Sequence, residues 1–183
     1  MTFALRFAGR KIAILGPLSG LGLLVAIFGF LSDRLSKWWL LDVYDISRRV
    51  KVEITGFFDL VMAWNPGVSY GLFPAESLWG RLILVTFSLV VVGGLGAWLA
   101  RVNRPLMALA IGLIIGGALG NIYDRIKFGA VADFFSFHVA GYYWYIFNVA
   151  DIWIVLGVGL LLWDAIYPLK EEAVKPTVQS RSE

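Results

Sequence analysis

Two aspartates, Asp133 and Asp151, close off the stretch VADFFSFHVAGYYWYIFNVAD at positions 131–151, with His138 and a crowd of aromatic residues between them. Two carboxylates brought within a few ångströms cannot both ionise readily, so one pKa rises and the pair holds a single proton. The ionised member can then take a proton from water while the protonated member polarises a carbonyl. That is the chemistry of an aspartic peptidase. On residue types alone two other readings stay open: a pair of unrelated interfacial aspartates, and a stop on a proton or ion pathway.

Further polar residues stand where apolar runs end. Asp33 and Lys37, in DRLSK, are four apart and share a helix face, so they can pair. Asn65 and Gly67 belong to a turn-forming NPG. In GGALGNIYDR, Asn121 and Arg125 are four apart, whereas Asp124 lies on another part of the turn and could meet a cation there. Asn148 precedes Asp151 by three residues, so its amide can support that carboxylate. No G-x-S-x-G is present, and Ser36 beside Lys37 lacks the spacing of a serine–lysine dyad.

These groups must be positioned by a greasy chain. Of 183 residues, 59% are hydrophobic and 16% charged, which points to a membrane protein rather than a soluble domain. There is no cysteine, so disulfides, thiolate catalysis and cysteine metal sites are excluded, and one histidine does not make a metal centre. No metal or other cofactor is expected. A net charge of +3 gives no case for nucleic acid. Four apolar runs are long enough to span a bilayer: about 12–31, 78–100, 106–123 and 146–167. The first is too long for a cleavable leader and lacks a small-x-small site, so it reads as a retained helix. Gly16 and Gly20, then Gly112, Gly116, Gly117 and Gly120, suit close helix approach in lipid. The third run should therefore pack deepest.

The fold class expected is a membrane α-helical, four-transmembrane-helix bundle. A small extracytoplasmic β-sheet should lie between helices one and two, at about 50–75, as two strands around Asn65-Pro66-Gly67. Trp64, Tyr70, Phe73 and Trp79 suit the headgroup boundary. Residues 1–169 form one membrane domain, and 170–183 read as a disordered cytoplasmic tail. Lys and Arg are equally numerous on the two sides, but the short N-terminal segment with Arg6, Arg10 and Lys11 carries more weight than the long 32–77 loop. Both termini are therefore placed in the cytoplasm, with all five polar clusters on the outer side. Gathering on one side favours a hydrolytic site over a small transporter or proton conductor with an Asp124–Asp133–Asp151 relay, and over a lipid-binding assembly protein.

The five blocks DRLSK (33–37), NPGVSYGLF (65–73), GGALGNIYDR (116–125), VADF (131–134) and FNVAD (147–151) together resemble the lipoprotein signal peptidase family (signal peptidase II), membrane aspartic peptidases of bacteria. The resemblance covers almost the whole chain. It implies that Asp133 and Asp151 are catalytic, and that Asn65, Gly67, Asn121, Arg125, Asn148 and Ala150 bind substrate or order the site. Asp33, Lys37, Gly117 and Asp124 would be structural support. It also implies a monomer in the bacterial cytoplasmic (inner) membrane that cleaves diacylglyceryl-prolipoproteins before the lipidated cysteine, among membrane lipids, and is inhibited by globomycin-type peptides. Ile152 stands where the family usually has serine, and Tyr70 where phenylalanine is commoner. The aromatic loop 134–146 could then be a lid over the site or a plain interfacial belt. His138 reads as a surface or hydrogen-bonding residue.

Overall fold

The computed structural model describes residues 3–7, 10–67 and 77–167, with side chains from residue 15 onward. Four helices long and apolar enough to cross a membrane are present among the described residues. They are α1 (Ser19–Trp38), α2 (Leu78–Leu99), α3 (Pro105–Phe128) and α4 (Val149–Ile166). Before α1, strands β1 (Phe3–Phe7) and β2 (Arg10–Leu15) pair antiparallel. A four-stranded antiparallel sheet joins β3 (Val52–Thr55), β4 (Phe58–Asn65), β5 (Val131–Val139) and β6 (Tyr142–Tyr143) in that order.

The third helix is the spine. Its window is 61% buried against 11% for α2, and both α1 and α4 pack along it. Glycine makes this approach possible. A Cβ at Gly112 would sit 2.5 Å from the Gly22 carbonyl oxygen, and one at Gly116 2.5 Å from that of Ala26. Gly117 faces the Ala150 carbonyl in the same way, and Gly157 of α4 faces that of Ala110 at 2.6 Å. Gly20 has nothing within 4 Å, so the expectation of a packing role holds for Gly16, which meets Ala100, but not for Gly20. The α2 helix leaves most of its apolar surface outward, which suits contact with lipid.

α1, α3 and the sheet each depart from the sequence expectation. The first helix runs Ser19–Trp38 rather than 12–31, continuing as a π turn over Trp39–Val43. Residues 10–15 belong to β2, Pro17 precedes the helix, and the charged DRLSK block continues it because its charges are paired against α3. For the same reason α3 carries Asn121, Asp124 and Arg125 within the helix and ends later, at Gly129. That glycine takes φ +85°, the left-handed conformation that stops a helix without a Cβ penalty.

The sheet is also built differently. Its first hairpin turns at Gly56-Phe57, not at NPG, and β4 finds its second partner 66 residues or more away in β5. The segment 134–146, read as either a lid or an interfacial belt, is largely strand: Phe134 is 1% exposed and joins Leu40, Ile46 and Ala132 in a second core under the sheet. Phe58, Phe135, Phe137 and Phe147 stack above it. Tyr70, Phe73 and the tail at 170–183 lie outside the described residues. Trp64 and Trp79 are exposed.

Candidate active site

The site is assembled where α3, α4, β4 and β5 meet. Helix α4 starts with a capping box. The Asn148 side-chain oxygen accepts from the Asp151 backbone N–H at 3.1 Å, and Asp151 Oδ2 accepts from the Asn148 backbone N–H at 3.3 Å. This fixes which way the Asn148 amide faces. With its oxygen committed to the cap, Asn148 Nδ2 points outward and donates to Asp133 Oδ1 at 2.6 Å and to Asn121 Oδ1 at 3.2 Å. Asn121 is oriented in turn, and its Nδ2 donates to Asp151 Oδ1 at 2.9 Å. Two amides thus bridge the two carboxylates.

Asn65, the last residue of β4, donates to Asp133 Oδ2 at 3.1 Å, while its oxygen accepts from the Gly67 N–H at 3.1 Å. Arg125 holds the far side of that turn, donating to the Gly67 carbonyl at 2.8 Å. Each of the four carboxylate oxygens therefore accepts one hydrogen bond and keeps acceptor capacity for a water molecule. Asp133 and Asp151 line one cleft of about 250 Å³ with Asn65, Asn121, Arg125 and Tyr145. Burial pushes the Asp133 carboxyl up to about 6; the nearby Asp151 adds to the rise, while Asn148, Asn65 and Lys37 oppose it. Beside the cleft, an almost wholly apolar groove of about 300 Å³ runs from Asp151 along Ile152, Val155 and Leu156 to Trp144.

Behind the cleft sits an ionic quartet, three of its members buried and Arg34 half-buried. Lys37 Nζ lies 2.6 Å from Asp124 Oδ2 and 3.1 Å from Asp33 Oδ1, and Arg34 reaches the same two carboxylates at 2.5 and 2.7 Å. Asp33, Lys37 and Asp124 are at most 2% exposed. Two cations, Lys37 buried and Arg34 half-buried, against two buried anions keep the cluster neutral, which such depth demands. The quartet also grips the backbone. Asp33 Oδ1 accepts from the Ala150 N–H at 3.1 Å, and Asp124 Oδ2 from the Ala132 N–H at 3.3 Å. Ala150 and Ala132 immediately precede Asp151 and Asp133, so one cluster positions both. Gly120 leaves room for Asp33, whose Oδ2 would be 2.6 Å from a Cβ there.

Asp133, Asp151, Asn65, Asn121 and Arg125 thus line one cleft, Ala150 and Gly117 act near it by packing and backbone contacts, and His138 lies outside it, 3.0 Å from Asp59. Asn148 is the N-cap of α4, not a residue on its face. Arg34 was missed, although it stands in DRLSK next to Asp33 and its charge had no other partner in sight. The Trp153 indole, which donates to Ser32 at 2.8 Å and ties α4 to α1, had no sequence signal at all.

The family described as signal peptidase (SPase) II matches residues 25–167. The chain belongs to the signal peptidase II family. It is 49% identical over 160 residues to the lipoprotein signal peptidase of Beijerinckia indica, covering 87% of this chain and 95% of that one. With the lipoprotein signal peptidase of Nitrobacter hamburgensis the identity is 49% over 148 residues, 79% and 90% of the two chains. Among solved structures, a bacterial membrane enzyme determined at 2.3 Å superposes with a TM-score of 0.69 at 25% identity, over 84% of this chain and 94% of that chain. As a signal peptidase II the chain is a protease, and its four apolar helices make it a multi-pass membrane protein.

Proposed function

We propose that the protein removes signal peptides from diacylglyceryl-modified prolipoproteins, cleaving before the lipidated cysteine with Asp133 and Asp151 as the catalytic pair. The supporting observation is that carboxylates from β5 and α4 line one cleft and are bridged by Asn148 and Asn121. A water held between them loses a proton to the ionised carboxylate as its oxygen attacks the scissile carbonyl. The protonated partner hydrogen-bonds the carbonyl oxygen as it becomes an oxyanion, and the leaving amine of the cysteine then takes a proton from the pair. Asn65, Asn121, Asn148 and Arg125 hold this geometry and are not consumed.

The apolar groove beside Asp151 gives a lipidated substrate somewhere to rest its hydrocarbon while its peptide bond enters the polar cleft. The pair belongs at the outer bilayer face, where water is available, with both termini in the cytoplasm. A proton relay is less favoured because Asp124 is committed to Lys37 and Arg34. Purified protein, and the Asp133→Asn and Asp151→Asn variants, should be given a diacylglyceryl-prolipoprotein. Cleavage is expected only by the parent protein; turnover retained by either variant would overturn the assignment.

A further inference from the structure

On the side of α3 away from the aspartates, a second cleft of about 350 Å³ opens between α1 and α3 and shares no lining residue with the first. Its floor is the ionic quartet, through Arg34 and Lys37. Both cations there are already neutralised by Asp33 and Asp124. Two further charges line it, Lys127 and Asp42, both exposed. Among the described residues Lys127 meets only the Tyr123 and Phe128 rings, at 5.6 and 4.8 Å, and no carboxylate; no cation pairs with Asp42. Trp38, Tyr123 and Phe128 form partly exposed aromatic walls at the helix ends, where such rings favour the headgroup layer.

Among the described residues the cleft thus offers one positive and one negative charge without an ionic partner, with net charge zero, between aromatic walls of the kind favoured in the headgroup layer. We propose that it binds a zwitterionic phospholipid bearing a primary ammonium, with Lys127 on the phosphate and Asp42 on the ammonium. An anionic headgroup would leave Asp42 facing like charge. A quaternary ammonium has no N–H to give a carboxylate, and Arg34 already covers the Tyr123 ring at 4.5 Å.

Native mass spectrometry of the detergent-solubilised full chain, given equimolar phosphatidylethanolamine, phosphatidylglycerol and phosphatidylcholine, tests this without any cleavage, so it stands apart from the peptidase assignment. Phosphatidylethanolamine should be retained about tenfold over the others. Lys127→Ala should lower its retention about tenfold, and Asp42→Asn should abolish its advantage over phosphatidylglycerol. Three results would overturn the proposal: equal or better retention of phosphatidylglycerol by the parent protein, retention unaltered in both variants, or displacement by free ethanolamine phosphate at the same concentration. The lipid preference of the parent protein decides the matter even if a variant fails to fold.

Discussion

Asn148 Nδ2 lies 2.6 Å from Asp133 Oδ1, and a helix cap put it there. A residue that starts α4 also holds the carboxylate of a different element, so its two roles can be separated by substitution. Serine still caps a helix but does not reach Asp133 with an N–H. Asn148→Ser should therefore lose roughly 100-fold in turnover, the scale of a misplaced reacting group, with little change in melting. Asn148→Ala should lose similar activity and also about 1 kcal/mol of stability from the missing cap. Comparing kcat and thermal melting of the two variants decides it; parental turnover in Asn148→Ser would show that the contact is incidental.

The quartet makes a stability prediction. Lys37→Met leaves one carboxylate of the Asp33–Asp124 pair uncompensated and buried, a loss of about 3–5 kcal/mol. Adding Asp124→Asn restores neutrality, with Arg34 and Asp33 still paired, and should recover part of that loss. Melting temperatures of the two singles and the double would show it. Strictly additive losses would mean that the four charges do not act as a unit.

Protonation of Asp133 should leave a mark on folding. Its ordinary value is 3.8 and its folded value about 6, so between these the folded state binds more protons than the unfolded one. Stability contributed by this group is therefore fully present below about pH 4 and declines as pH rises to about 6, by roughly 2–3 kcal/mol. Above that it is level. The fall in melting temperature from pH 4 to pH 6.5 should be smaller in Asp133→Asn than in the parent. Parallel curves would place the shift elsewhere.

How much of this was readable beforehand follows from the range of the interactions. Hydropathy over 20 or so residues is a local property, and it located α2 well, at Leu78–Leu99 against the expected 78–100. It failed at the C-terminal end of α1 and of α3 because Asp33, Lys37 and Asp124 look like helix stops until they are seen cancelling one another across 87 residues. The β4–β5 pairing was equally hidden, because alternation shows that a strand exists and not which strand lies beside it. The carboxylates, by contrast, stood out from the sequence because charge at membrane depth needs a reason.

The glycines of α1 and α3 divide into those that touch a neighbouring helix and those that do not. Gly116→Ala puts a methyl 2.5 Å from the Ala26 carbonyl oxygen and should cost about 1–3 kcal/mol as α1 moves away. Gly20→Ala meets open space and should be neutral or stabilising by up to about 1 kcal/mol, the helix preference for alanine. Melting of the two proteins side by side tests this. Equal effects would mean that α1 and α3 are not packed as closely as described.

Arg125 and Asn65 hold one turn from opposite sides. Arg125 Nη2 bonds the Gly67 carbonyl, and Asn65 Oδ1 accepts from the Gly67 N–H while its amide reaches Asp133. Lysine keeps the charge but replaces the planar fork with a single ammonium, so the carbonyl contact should be lost. Arg125→Lys is expected to lower kcat/KM roughly tenfold, the scale of one charge-assisted hydrogen bond, with a melting temperature close to the parent's. Asn65→Ala removes the other half of the clasp and one bond to Asp133, and should cost more. Because both changes release the same turn, the double variant should be less impaired than the product of the single losses. Multiplicative losses would mean that Arg125 serves the site through its charge on the aspartates instead of through Gly67.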